Sequence, residues 1–149
     1  MINAKELVKL SDDDIIRLIE KQPDNKVLRD FERIDPIIWQ MNNIRTEKGE
    51  KLEFINRPYL IQPMSDFSEH LVFKKASQVG VTQLSIGKVL FVSDINKMTT
   101  IYTFPTAGDV TKFSKARFSA IVRDSKYLQS RIKDYDNATF KKIGNSTIY

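Results

Sequence analysis

The stretch FKKASQVGVTQLS, residues 73–85, contains residue types that can hold a phosphate group. Gly80 can form a tight turn before a segment with helical spacing, Thr82 adds a hydroxyl, and Lys75 adds a cation five residues before Gly80. The backbone amides of a first helical turn have no partners inside the helix, so such a turn can bind an anion. The stretch therefore predicts a phosphate-binding loop.

The loop differs from the common pattern G-x-x-x-x-G-K-[ST] at two of its four fixed positions. When Gly80 is taken as the second glycine, Lys75 replaces the first glycine and Val81 replaces the lysine. The flexible side chain of Lys75 could still reach a phosphate from the end of the preceding strand. The alternative for the same residues is an ordinary strand-to-helix turn, with a glycine that serves packing and a lysine on the surface.

The segments around the loop predict a β-α-β unit. Residues 70–74 are short and apolar and predict a buried strand, 81–97 have helical spacing, and 99–104 predict a second strand that Pro105 ends. Strands joined through a helix are usually parallel, with a right-handed crossover. The loop would then lie at the carboxyl end of the first strand, where nucleotide-binding loops are found.

The other segments complete an α/β pattern. Periodicity and turn residues predict helices at 12–21, 25–34, 36–43, 107–123 and 125–133, and strand material at 141–143 and 146–149. The chain therefore divides into an N-terminal helical segment, 1–50, and an α/β part, 51–149.

Composition excludes several classes of site and of protein. The 149 residues include no cysteine, which excludes disulfides, thiolate zinc sites and a cysteine nucleophile. The single histidine, His70, argues against a histidine metal cluster and against a Ser-His-Asp triad. No run of about 18 apolar residues and no secretory signal is present, so we expect a cytoplasmic protein without a membrane span.

The net charge of +5 is concentrated in one part of the chain. Residues 61–149 carry 13 Lys and Arg against 7 Asp and Glu, whereas residues 1–60 are close to neutral. Clustered cations raise the local concentration of polyanions, so this part favours a phosphate-bearing partner. A solvated surface is the alternative explanation of the same charge.

The loop and its neighbouring segments resemble a known family. KKASQVGVT, preceded by RPYL and followed by TIYTFPTAGDVTKFSKARFSAIVRDSKYL, is similar to the N-terminal ATPase region of the large terminase subunit of tailed bacteriophages. The closest branch is the lambda-type or GpA-like one, whose phosphate loop also has its lysine at the early position. The resemblance covers residues 56–128 and implies a P-loop NTPase (RecA-like) parallel sheet, incomplete in 51–149.

The resemblance also implies roles for individual residues in binding ATP and Mg²⁺. Lys75 would be the catalytic cation on the β- and γ-phosphates, and Thr82 would ligate Mg²⁺. The phosphate loop would consist of Ser77, Gln78, Val79, Gly80 and Val81. Arg57 and Tyr59 would lie near the adenine. Two alternatives stay open, a helix cap for Thr82 and a packing role for Tyr59.

The basic helix predicted at 107–123 is a candidate DNA surface. Its cations are Lys112, Lys115, Arg117 and Arg123. Contacts to the DNA backbone need no base specificity, although a solvated helix face explains the same charges. The partners that the resemblance implies are double-stranded viral DNA, the small terminase subunit, the portal or procapsid, and further copies of the large subunit, in the cytoplasm of the infected host.

Two features expected of a complete packaging ATPase are missing. No apolar strand ends in Asp-Glu, since neither Asp94 nor Asp109 follows such a strand, and no nuclease domain is present. We therefore expect a truncated piece of a longer protein that binds nucleotide weakly and hydrolyses it poorly. The alternative is a non-catalytic module in which 1–50 bind a partner and 107–133 contact DNA. A complete helicase-like ATPase is disfavoured by the missing acidic motif.

Overall fold

The computed structural model describes residues 14, 17, 21, 30, 33–46, 49–54, 56–133 and 137–149. The helices predicted at 12–21 and 25–34 lie mostly outside this part of the chain. Asp14, Arg17, Lys21 and Asp30, which are described, are helical and exposed. The division at residue 50 stays a prediction.

From residue 33 onward, the described residues form six α-helices, two other helical turns and three strands. In chain order these are α1 (Pro36–Asn43), a 3₁₀ turn (Pro58–Leu60), α2 (Ile61–Ser65), α3 (Val81–Asp94), α4 (Ala107–Phe113), a π-helical turn (Ser114–Phe118), α5 (Ser119–Arg123), α6 (Lys126–Arg131), β1 (Ile132–Lys133), β2 (Lys141–Ile143) and β3 (Ser146–Ile148). The helical run predicted at 107–123 is confirmed, with the π-helical turn in its middle.

Helix α1 begins at a capped proline and is almost entirely buried. The carboxylate of Asp35 accepts hydrogen bonds from the backbone N–H of Ile37, at 2.8 Å, and of Ile38, at 3.2 Å. Pro36 occupies the first helical position, where its missing N–H has no consequence. A helix of eight residues is marginal alone, so burial of its apolar side chains must hold it in place.

The sheet among the described residues is a three-stranded antiparallel meander in the order β1-β2-β3. Lys142 pairs with Thr147, and the β2–β3 turn contains Gly144 at φ +57°. One further segment joins β3 in parallel. The N–H of Thr100 donates to the carbonyl of Thr147 at 3.0 Å, and the N–H of Tyr149 donates to the carbonyl of Thr100 at 2.9 Å.

The predicted pairing of 70–74 with 99–104 is wrong. Residues 70–74 have no regular secondary structure, and the side chain of Val72 is 92% exposed rather than buried. The segment around Thr100 lies beside β3 instead. A strand needs a neighbour to satisfy its N–H and C=O groups, and no strand of the described part of the chain pairs with 70–74.

Helix α3 lies in the core, against α1 and β3. Trp39 of α1 meets Phe91 of α3 edge to face, with ring centroids 5.8 Å apart. The two helices come closest where the buried side chain of Gln40 lies over Gly87. A Cβ atom at position 87 would lie 2.2 to 2.4 Å from the side-chain amide of Gln40.

We predict that Gly87→Ala lowers the free energy of unfolding by about 1–3 kcal/mol, because the new methyl group would overlap the packed amide of Gln40. Gly108→Ala is the matched control in another helix, since the nearest atom to a Cβ atom at position 108 would be Oγ1 of Thr106, at 3.7 Å. The control should be neutral or slightly stabilising, as alanine favours helix. Urea denaturation checks both, and equal stability of the two variants would contradict the close approach.

The buried carboxylate of Asp94 joins the end of α3 to α6. Nε and Nη2 of Arg131 donate to Oδ1 of Asp94 at 3.1 and 2.8 Å, and the hydroxyl of Tyr127 donates to Oδ2 at 2.5 Å. Burial, together with the adjacent carboxylate, raises the pKa of Tyr127 to about 12, because a phenolate is disfavoured in that position. The hydrogen bonds from Arg131 to the carboxylate of Asp94 raise the pKa of Arg131.

We predict that Tyr127→Phe lowers the free energy of unfolding near pH 8 by about 1–2 kcal/mol, allowing for partial solvent screening. The hydroxyl has a higher pKa in the folded chain than its unfolded value of about 10, so its contribution is complete below pH 10. The contribution is lost as the pH rises through about 12. Urea denaturation of the unmodified chain and of Tyr127→Phe, between pH 8 and the pKa of the folded hydroxyl, measures the difference in free energy of unfolding. We expect this difference to shrink with rising pH; a constant difference would contradict the contribution assigned to the Tyr127 hydroxyl.

Candidate functional site

Gly80 begins helix α3 in a backbone conformation that favours glycine. Its φ is +85° and its ψ is 2°, in the left-handed region. A Cβ atom at this position would lie 3.2 Å from Cδ1 of Leu60 and 3.8 Å from Nη1 of Arg57. The turn therefore requires glycine both for its backbone angles and for its packing against the 3₁₀ turn.

The N-terminus of α3 is open to a ligand. No side-chain hydrogen bond caps this end of the helix, so the amides of its first turn are not occupied by a capping side chain. Gln78, two residues before Gly80, also has a positive φ of 58°. The hydroxyl of Tyr59 donates to the carbonyl of Val79 at 3.2 Å and thereby holds the loop.

A cleft of about 550 Å³ lies at this helix end. It is lined by Lys75, Arg57 and all the loop residues from 78 to 82, so the structure brings most of the predicted site residues together. Ser77 and Tyr59 do not line it. The structure gives Tyr59 a contact to the loop backbone, and its side chain is 54% exposed.

Most of the charged residues that line the cleft are cations. Lys75, Arg57 and Arg117 line it, and Glu50 is the one acid in the lining formed by the described residues. The ammonium group of Lys75 donates to the carbonyl of Ala76 at 3.3 Å and is exposed to solvent. Together with the positive end of the helix dipole, these charges favour an anionic ligand.

Thr82 presents an exposed side chain to the cleft rather than a cap to the helix. Gly80 is the N-cap residue of α3, and within the described part of the chain no side chain makes a capping hydrogen bond at this end, so the capping alternative for Thr82 is wrong. The described ranges contain no group of three or more His, Asp and Glu side chains that could hold a metal ion. The described ranges also contain no helix that is long and apolar enough to cross a membrane.

Sequence reasoning missed two charged residues of the cleft lining. Glu50 follows the turn at Gly49, within a segment where Arg45 and Lys51 form an antiparallel bridge. The sequence places Arg117 among the candidate DNA contacts, and in the structure it lines the cleft. Neither position carries a local sequence signal, because the distant segments meet only through tertiary packing.

The other predicted DNA contacts lie outside the cleft and are exposed. They are Lys112, Lys115 and Arg123. Nε of Arg123 lies 3.4 Å from Oδ1 of Asp124.

An open helix N-terminus inside a cationic cleft has the character of a phosphate-binding site. The chain matches, over residues 46–146, the family described as "Phage terminase large subunit gpA, ATPase domain". This match spans about two thirds of the chain, and the chain therefore belongs to this family. The resemblance stated from the sequence is thus confirmed. No curated protein and no solved structure matches the chain.

We predict that Gly80→Ala lowers the free energy of unfolding more than Gly49→Ala does. Both glycines have positive φ, at +85° and +79°, so both substitutions carry a backbone cost of about 1–2 kcal/mol. Only the first also presses on Leu60, because nothing lies within 4 Å of a Cβ atom at position 49. Urea denaturation compares the two variants. Equal losses would show that Gly80 serves its backbone angles alone.

Proposed function

We propose that the cleft at the N-terminus of α3 binds Mg-ATP, and that the chain supplies the nucleotide-binding part of a DNA-packaging terminase. The observation that carries the proposal is that Lys75 and the loop residues 78–82 line one cleft, although the lysine stands at an unusual position in the sequence. Membership of a terminase ATPase family supports a nucleotide as the ligand.

The residues present fit such a ligand in size and charge. A volume of about 550 Å³ lies within the range of about 300–1,000 Å³ that is usual for small-molecule sites. Gly80 lies at the N-terminus of α3 and lines the cleft, so its backbone is part of the surface that would face a phosphate. The cations Lys75 and Arg57 would offset the charge of a triphosphate.

The predicted site residues that line the cleft have distinct tasks in this proposal. The amides of the loop and of the first turn of α3 hold phosphate oxygens, and the ammonium group of Lys75 stabilises the charge on the β- and γ-phosphates. Arg57, adjacent to Gly80, orients the nucleotide, and the hydroxyl of Thr82 is a ligand for the metal. Mg²⁺ supplies charge neutralisation of the phosphates when bound.

Membership of the family also suggests a role in DNA packaging. We propose double-stranded viral DNA as the substrate that is moved, and the small terminase subunit, the portal or procapsid and further copies of the large subunit as partners, inside the infected bacterium. The exposed cations Lys112, Lys115 and Arg123 are the proposed DNA contacts. Hydrolysis also needs a residue that orients the attacking water.

We predict that Lys75→Ala weakens binding of Mg-ATP about 10-fold or more, because a charge-assisted contact to the phosphates is lost. Lys74→Ala is the matched control, since this exposed neighbour does not line the cleft. Isothermal titration calorimetry measures both affinities, and circular dichroism checks that the fold is kept.

The control variant should bind as tightly as the unmodified chain. If the unmodified chain binds no Mg-ATP at millimolar concentration, the proposal is wrong, and the alternative of a non-catalytic DNA- or partner-binding module is favoured. Equal losses in both lysine variants would point to general electrostatic attraction rather than to a specific contact.

A further inference from the structure

Arg117 lies in an unexpected place for a DNA contact. It belongs to the π-helical turn Ser114–Phe118, yet it lines the same cleft as Lys75 and Gly80. The neighbouring cations Lys112 and Lys115 do not. All three cations are exposed, but only Arg117 of these three lines the cleft.

Both ends of the π-helical turn are fixed by the core. At its first residue, the hydroxyl of Ser114 is buried and accepts a hydrogen bond from Nζ of Lys141 in β2 at 2.6 Å. At its last residue, Phe118 is 5% exposed, and its ring centroid lies 5.0 Å from the same Nζ. Lys141 is itself buried. Arg117 is thus carried by a backbone segment that the sheet holds in position, and π-helical turns are frequent at functional sites.

We propose that Arg117 binds the phosphate chain of the nucleotide and does not contact the DNA backbone. This inference rests on the proposed function of the cleft. A guanidinium group can bond two phosphate oxygens at once through its planar set of N–H donors, which suits a residue that reaches the ligand from a separate element. Lys75 and the loop hold the phosphates from the start of α3, and Arg117 adds a contact from the helix that follows residue 106.

The position of Arg117 would couple the nucleotide site in the cleft to the proposed DNA contacts. A phosphate chain held by Arg117 joins the loop to the helical run that carries Lys112 and Lys115 on its surface. The occupied cleft would then help to fix the position of the proposed DNA contacts, because the same helical run carries both kinds of cation.

The test compares Arg117→Ala, Arg117→Lys and Lys115→Ala in the 149-residue chain. Isothermal titration calorimetry gives the affinities for Mg-ATP and for AMP, and binding to double-stranded DNA at several salt concentrations gives the DNA contact. We expect Arg117→Ala to weaken Mg-ATP binding about 10-fold or more and AMP binding by a smaller factor, since AMP has one phosphate. Arg117→Lys should keep part of the affinity, and circular dichroism of each variant checks that the fold is kept.

The control Lys115→Ala should bind Mg-ATP normally and bind DNA less tightly. The inference is overturned if Arg117→Ala leaves Mg-ATP binding unchanged while Lys75→Ala weakens it; the proposed function would then still stand. It is also overturned if Arg117→Ala weakens Mg-ATP and AMP binding equally, or weakens DNA binding alone. If the unmodified chain does not bind Mg-ATP, the proposed function fails and the inference fails with it.

Discussion

The position of helix α3 depends on two points where its backbone carries no side chain. At Gly80 the chain turns in the left-handed region against Leu60, and at Gly87 the helix admits the buried side chain of Gln40. The far end is held by Asp94, which joins it to α6. Because the helix is fixed along its whole length, its first turn and the amides exposed there have a defined position relative to the rest of the cleft.

The proposed phosphate site draws its cations from three separate segments of the chain. Arg57 precedes the 3₁₀ turn, Lys75 precedes the loop, and Arg117 lies on the π-helical turn. Cations from three segments in one cleft repel each other, and among the described lining residues Glu50 is the one acid beside them. A polyphosphate would lower that repulsion further, and the family to which the chain belongs supplies an ATPase context for such a ligand.

Local features of the structure were predictable from the sequence, and partners in space were not. The helices at 36–43 and 107–123, most of the helix predicted at 81–97, and the two final strands follow from periodicity, proline and glycine, which act within a few residues. The segment 70–74 has strand composition, but composition does not name a pairing partner. Likewise the spacing of Lys75 and Gly80 was readable in the sequence, whereas the entry of Arg117 into the cleft depends on how the sheet holds the π-helical turn.

The most direct test of the phosphate site is a titration of the ¹⁵N-labelled chain with Mg-ATP, followed by NMR at each backbone amide. The account predicts the largest chemical-shift changes at residues 78–82, together with a change at the side-chain Nε–H of Arg117. Changes confined to the exposed part of 107–123, with the amides of 78–82 unaffected at saturating nucleotide, would contradict it.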